Sequence, residues 1–285
     1  MSKTLLVSGD SYTVANLHPT SGKPWANYIG NEMEWKVKNY ARSGASNEFI
    51  FNSIIDAIEE NKEEDIVVCV MWSEPFRIGL HDNTCQILNS EEMLTRQSVA
   101  NDDHNVNSHY IELTSEFTRI ANEILMSSDS FILSNNHGTA YKKCVNHSLR
   151  YMFLLEEYCR FNNIKLYHWS SLNVFASPAS LAVYSYACGH ISHQQQKDIF
   201  KKSVDEIKET NQYYKYLAES PNYLGFNFDG WDFIQKRPEW KISDRDHHPN
   251  SIGHEELSKV MCKFIKDGIK PTTRNEYSRP IYIYD

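Results

Sequence analysis

Residues 65–72 read Asp-Ile-Val-Val-Cys-Val-Met-Trp, a run that is rich in β-branched residues and almost wholly apolar. A strand with one wet face alternates apolar and polar side chains. This run does not alternate, so it reads as a strand covered on both faces, the kind found inside parallel sheets. The flanking sequence agrees. Residues 3–8 read as a short buried strand, and residues 24–33 as a helix with Pro24 in its first turn. Residues 35–40 are a second strand candidate. Phe51, Ile54, Ile55 and Ile58 follow helical spacing after Ser46-Asn47. Strand, helix, strand, helix, strand over the first quarter predicts an α/β domain with parallel strands and crossover helices.

Farther along, residues 80–107 are polar, Asn/Asp-rich and without period, and read as a loop insertion. Phe117, Ile120, Ala121, Ile124 and Leu125 mark a helix, residues 141–161 a long helix, and residues 164–169 a strand. Residues 131–133 are apolar but too few to assign. Residues 176–223 are rich in Ser, Gln, Lys and Tyr and read as helices added to the core as a lid. The stretch 223–231 reads as an ordered loop. Leu257, Val260, Met261, Phe264 and Ile265 define a final helix, and residues 279–285 alternate weakly, as an edge strand would. There is no internal repeat and no dividing linker. The expectation is one domain over 1–285, with insertions around 80–107 and 176–235 and a tail over 270–285.

The formal net charge is −8, which gives no general attraction to nucleic acid or to anionic membranes. No apolar stretch is long enough to span a bilayer. The apolar run near the N-terminus breaks at Gly9-Asp10, too soon for a secretion signal. Six cysteines, none in a CxxC pair, read as reduced thiols of a cytoplasmic protein.

Three short segments carry candidate chemistry. Gly9-Asp10-Ser11 closes the first strand, and ligands of parallel sheets bind beyond the carboxyl ends of strands. A serine there needs a neighbouring base before it can act as a nucleophile. After the second strand, Gly44 would let a backbone N–H approach a ligand, and Ser46 or Asn47 can cap the following helix, whose N-terminus favours developing negative charge. Before the last helix, residues 244–254 gather Asp244, Asp246, His247, His248 and His254, with Pro249 and Asn250 between them. An imidazole held by a carboxylate is the usual base for serine. The same segment also offers Asp244, Asp246, His248 and His254 as oxygen and nitrogen ligands of a metal-dependent hydrolase.

Taken in order, these segments resemble the SGNH (GDSL-type) serine hydrolases. Gly9-Asp10-Ser11 is similar to that family's first block, Gly44 to its second and the Asp/His-Pro segment to its last. The resemblance implies a three-layer α/β/α sandwich with a parallel, flavodoxin-like central sheet bearing helical and loop insertions. It implies esterase, lipase or sugar-deacetylase activity, plausible on a carbohydrate O-acetyl ester, with no cofactor. Ser11 would be the nucleophile, His248 the base and Asp246 its carboxylate. The amides of Ser11 and Gly44 would meet the oxyanion, with Asn47, Ser73 and Arg77 as further oxyanion or substrate contacts. The sequence departs from the family twice. The family's acid stands three residues before its histidine, where this chain has Arg245; Asp246 is two before His248, and Asp244 is three before His247, an alternative pair. The family's third block supplies an asparagine after the third strand; here that turn reads Trp72-Ser73-Glu74-Pro75-Phe76-Arg77, with Asn135 or Asn136 as substitutes from elsewhere. These changes also open a catalytically degenerate glycan- or protein-binding reading, and acyl transfer to an acceptor other than water. Altered blocks and long insertions resemble phage-encoded relatives, for which virion association would be expected.

Overall fold

The computed structural model describes residues 3–14, 22–75, 138–175, 193–243 and 246–270. The apolar run forms β3 (Ile66–Trp72), paired on one side with β1 (Thr4–Gly9) and on the other with β4 (Lys165–Ser170). β2 (Lys36–Asn39) lies outside β1, giving a four-stranded sheet of order β2-β1-β3-β4 with every neighbour parallel. Beyond β4 the chain touches the sheet again through single parallel bridges, His168 to Tyr223 and Ser170 to Asp229.

Alternation along β1 and β3 divides the core into two layers. Leu6, Val68, Val70 and Trp72 face one side. There they pack against α2 (Asn47–Glu60), α3 (Gly138–Phe161), α4 (His193–Thr210) and α5 (Gln212–Glu219), through Ile50, Ile54, Leu149, Met152, Val204 and Leu217 among others. Leu5, Val7, Val67, Cys69 and Met71 face the other side. They meet α1 (Trp25–Met33), α6 (Gly230–Gln235) and α7 (Ser251–Asp267), through Trp25, Ile29, Phe233, Leu257 and Met261 among others. Each fully buried aliphatic side chain of this kind contributes about 1.5–3 kcal/mol. The result is the expected three-layer α/β/α sandwich.

The helices α4 and α5 place Val204, Ile207 and Leu217 in the same buried cluster as Leu6 and Val68, so within 193–219 the chain builds the helical layer itself rather than a lid over it. The loop expected over 80–107, the helix expected around Phe117–Leu125, the 131–133 run and the 271–285 part of the tail, with its edge strand, lie outside the described residues, as do 176–192 of the second insertion. Cys69, Cys144, Cys159 and Cys262 are free thiols; Cys85 and Cys188 lie outside the described residues. Among the described residues, no helix is long and apolar enough to cross a membrane.

The strand order changes direction between β1 and β3: the chain leaves β1 toward β2 and later returns to β3 on the other side. In open parallel sheets, the carboxyl end of such a switch point is where ligands bind. Ser11 lies there.

Candidate active site at the carboxyl end of the sheet

Ser11 sits in a turn after β1, closed by a hydrogen bond from Thr13 N to Asp10 O at 2.8 Å. Gly9 is needed here for space. A Cβ at Gly9 would stand 2.3 Å from Thr13 Oγ1 and 3.0 Å from the Met71 carbonyl oxygen. Asp10 is buried and organises the turn: Oδ1 accepts from Tyr12 N at 3.0 Å, and Oδ2 accepts from Ser171 Oγ at 2.6 Å. Ser171 follows β4, and its N–H donates to the Trp72 carbonyl at the end of β3 at 2.7 Å. The serine turn is thus tied to the ends of both neighbouring strands.

The last motif comes to the same place. His248 Nε2 lies 2.9 Å from Ser11 Oγ, and His248 Nδ1 lies 2.6 Å from Asp246 Oδ1. A carboxylate only accepts, so Nδ1 carries the ring proton and neutral His248 turns the lone pair of Nε2 toward the serine hydroxyl. Asp246 Oδ1 also accepts from the backbone N of His248 at 3.1 Å. Ser11 is 6% exposed, whereas the side chains of His248 and Asp246 are 33% and 41% exposed. The serine end is enclosed and the carboxylate end is wet.

The loop that carries these groups is closed at its base. Ile242 N donates to His248 O, Lys241 bridges Pro249, and Asn250 N donates to Trp240 O. Asn250 caps α7 by accepting from Gly253 N at 3.0 Å, and its amide donates to the carbonyls of Glu239 and Lys241, each at 2.8 Å.

The other candidates fall in different places. His247 does not face Ser11; its Nδ1 lies 2.7 Å from Gln235 Oε1 on α6. Asp244, its alternative partner, lies outside the described residues, as do Arg245, Arg77, Asn135 and Asn136. His254 is 2% exposed and its Nδ1 has no hydrogen-bond partner. Burial, and secondly the nearness of His248, lowers its pKa to about 3, so it stays neutral. Among the described residues, no group of three or more His, Cys, Asp or Glu side chains is arranged to hold a metal ion.

Gly44 has φ 73°, in a turn closed by Ala45 N to Arg42 O at 3.1 Å; Arg42 N reaches back to Gly9 O, which holds this loop beside the end of β1. Ser46 caps α2, its Oγ accepting from Phe49 N at 3.2 Å. Asn47 is buried and its amide is committed. Nδ2 donates to Ser73 O at 3.0 Å and to Ser148 Oγ at 2.9 Å, while Oδ1 accepts from Ser73 N at 2.8 Å. Both side-chain amide protons are used, so Asn47 clamps the residue after β3 and has no side-chain N–H left for a ligand. The Ser73 hydroxyl is fully buried and without a partner.

Behind Ser73 lies a buried polar chain that no sequence pattern indicated. Trp72 Nε1 donates to His168 Nδ1 at 2.8 Å, and His168 Nε2 lies 2.6 Å from Glu156 Oε1, which also accepts from Ser220 Oγ at 2.6 Å. An indole can only donate, so His168 is neutral with its proton on Nε2. Burial acts to raise the Glu156 pKa, but the bonds from His168 and Ser220 act against it and the carboxyl is held below its ordinary value. Ser171, Gln235 and this chain were not among the residues the sequence singled out, and Asp10 was named there only as part of the Gly9-Asp10-Ser11 motif.

No protein-family model and no curated protein matches the chain. Solved structures do, at low similarity. A protein from Slackia heliotrinireducens proposed to be an SGNH hydrolase is 13% identical, with TM-score 0.39, covering 93% of this chain and 100% of its own. An alpha/beta hydrolase from the Lake Arreo metagenome is 12% identical, with TM-score 0.32, over 91% of this chain and 94% of its own. A variant of an acetyl-xylooligosaccharide esterase from Geobacillus is 13% identical, with TM-score 0.33, over 94% and 96%. At this distance the chemistry open to the chain is read from its own side chains.

Proposed function

We propose that the protein is a serine hydrolase that cleaves an ester through an acyl-enzyme. The observation that carries this is the unbroken contact Ser11 Oγ, His248 Nε2, His248 Nδ1, Asp246 Oδ1, with steps of 2.9 and 2.6 Å. Nucleophile and base stand within hydrogen-bond reach, and a third group orients the base.

In this reading Ser11 Oγ attacks the ester carbonyl as its proton passes to His248 Nε2. Asp246 holds the ring and stabilises the imidazolium. The tetrahedral oxyanion meets the amides of Ser11 and Gly44, with the Ser73 hydroxyl as third donor. His248 then returns the proton to the departing alcohol. Water, activated by the same imidazole, attacks the acyl carbonyl and frees Ser11. An alcohol acceptor in place of that water would make the same site an acyltransferase. Carbohydrate O-acetyl esters are the first substrates to test, because half-buried Trp231 packs beside His247 and Tyr12 and offers an aromatic surface near the serine.

A second reading is a binding protein that has lost turnover. It draws on the serine at position 73, which replaces an amide donor with a shorter hydroxyl, and on the full commitment of the Asn47 amide. Intact-mass analysis after a fluorophosphonate probe separates the two. The expected result is one phosphonyl adduct on the parent, absent from Ser11→Ala and strongly reduced in His248→Ala. A folded parent that takes no adduct refutes the hydrolase reading and leaves the binding one.

A further inference from the structure

His247 looks like a spare base in the sequence, yet in the fold it is the centre of a clamp. Its ring Nδ1 faces Gln235 Oε1 at 2.7 Å, and its backbone carbonyl receives Gln235 Nε2 at 3.3 Å and the Tyr12 hydroxyl at 3.0 Å. The protons can be assigned. Gln235 Oε1 accepts from His247 Nδ1–H, and Gln235 Nε2 donates to the His247 carbonyl. The Tyr12 proton goes to the same carbonyl. A flipped amide would set two acceptors against each other, so only one orientation serves.

The clamp spans both halves of the serine–histidine contact. Tyr12 is the residue after Ser11, and its ring packs against the His248 ring with centroids 5.4 Å apart. His247 lies between Asp246 and His248. Trp231 covers the His247 ring at 5.3 Å. α6 is thus fastened through Gln235 to the His247 loop, and the Tyr12 hydroxyl ties the same carbonyl to the serine turn.

We infer that Gln235 and Tyr12 are positioning residues that hold His248 against Ser11 by fixing the main chain of His247. This rests on the reading of Ser11, His248 and Asp246 as a triad. A displacement of about 1 Å between reacting groups costs on the order of a hundredfold in rate. Loss of the clamp therefore lowers the rate of the Ser11 reaction and leaves probe binding nearly unchanged.

The test uses the full chain and the fluorophosphonate, with the maximal labelling rate and the half-saturating probe concentration measured separately. Gln235→Ala is expected to lower the maximal rate by about tenfold to a hundredfold, with half-saturation within about twofold. Tyr12→Phe keeps the ring and removes only the hydroxyl; it is expected to fall in the same direction, and it serves where Gln235→Ala folds poorly. Gln235→Glu supplies a signature that a general loss of structure would not. Protonated, its carboxyl can accept from His247 Nδ1 and donate to the carbonyl as the amide does, so its rate relative to the parent rises as pH falls. Parent-like labelling by folded Gln235→Ala and Tyr12→Phe overturns the inference while leaving the triad intact. If the parent itself takes no label, the triad reading fails. The clamp is then read from nitrogen-15 shifts of the His248 ring. A parent fixed with its proton on Nδ1 and a Gln235→Ala variant with mixed tautomers supports the positioning role, and identical spectra overturn it.

Discussion

Acid should weaken this fold through one histidine in particular. His254 is buried in the first turn of α7, its Nδ1 lacks a hydrogen-bond partner, and its pKa falls from 6.5 to about 3. Burial is the main cause and His248 the second. The sign follows from proton counting. Between those two values the unfolded chain binds a proton that the folded chain refuses, so stability is full above pH 6.5 and is lost as pH falls below it. For one such group the loss between pH 8 and pH 5 is about 2 kcal/mol, a large share of the roughly 5–15 kcal/mol that holds a typical domain. Other groups titrate as well, so the useful quantity is a difference. His254→Leu removes the ionisable ring and no native hydrogen bond of that side chain. Urea unfolding of parent and variant at pH 8 and pH 5 should show the variant gaining about 2 kcal/mol on the parent as pH drops, with equal m-values. Parallel stability curves would refute the reasoning, because His254 would then accept its proton inside the fold.

Two further predictions concern catalysis. Ser73→Ala removes a hydroxyl that has no partner in the fold; in the proposed mechanism it should lower kcat by about a hundredfold with little change in KM or in unfolding midpoint, and an unchanged kcat would remove Ser73 from the oxyanion site. Asp246→Asn keeps the shape of the side chain but favours the wrong His248 tautomer, so kcat/KM on an activated ester should drop roughly ten-thousandfold, and a drop of only a few-fold would mean that the wet carboxylate does not orient the ring.

The sheet was legible because parallel strands buried on both faces leave near-continuous apolar runs, and residues 66–72 are such a run. The layer formed by α4 and α5 was less so. In α4 the polar residues dominate, and among its described side chains Val204 and Ile207 join the core. Among the described residues, the stretch beside β4 makes single bridges at Tyr223 and Asp229, so it has no strand periodicity to read. Ser11, His248 and Asp246 were visible as residue types beside strand and helix ends. Their supports were not, because hydrogen bonds between distant residues leave no local pattern: Ser171 and Asp10 are 161 positions apart, and Tyr12 and His247 are 235.

The sides to which Asp246, His247 and His248 turn follow from the backbone rather than from family spacing. A residue before proline is pushed toward extended conformation, and His248 precedes Pro249. Along an extended segment, side chains alternate between two sides, so residues 246 and 248 share one side and 247 points to the other. That is the arrangement found, with Asp246 on His248 and His247 turned to Gln235. The short spacing also organises itself. An aspartate readily accepts from the N–H two residues on, which here bends the carboxylate back over the His248 backbone and brings the same oxygen within 2.6 Å of the ring nitrogen. A spacing of two therefore brings carboxylate and imidazole together where the family's spacing of three is absent, and the intervening His247 is left on the opposite side, where it meets Gln235 of α6.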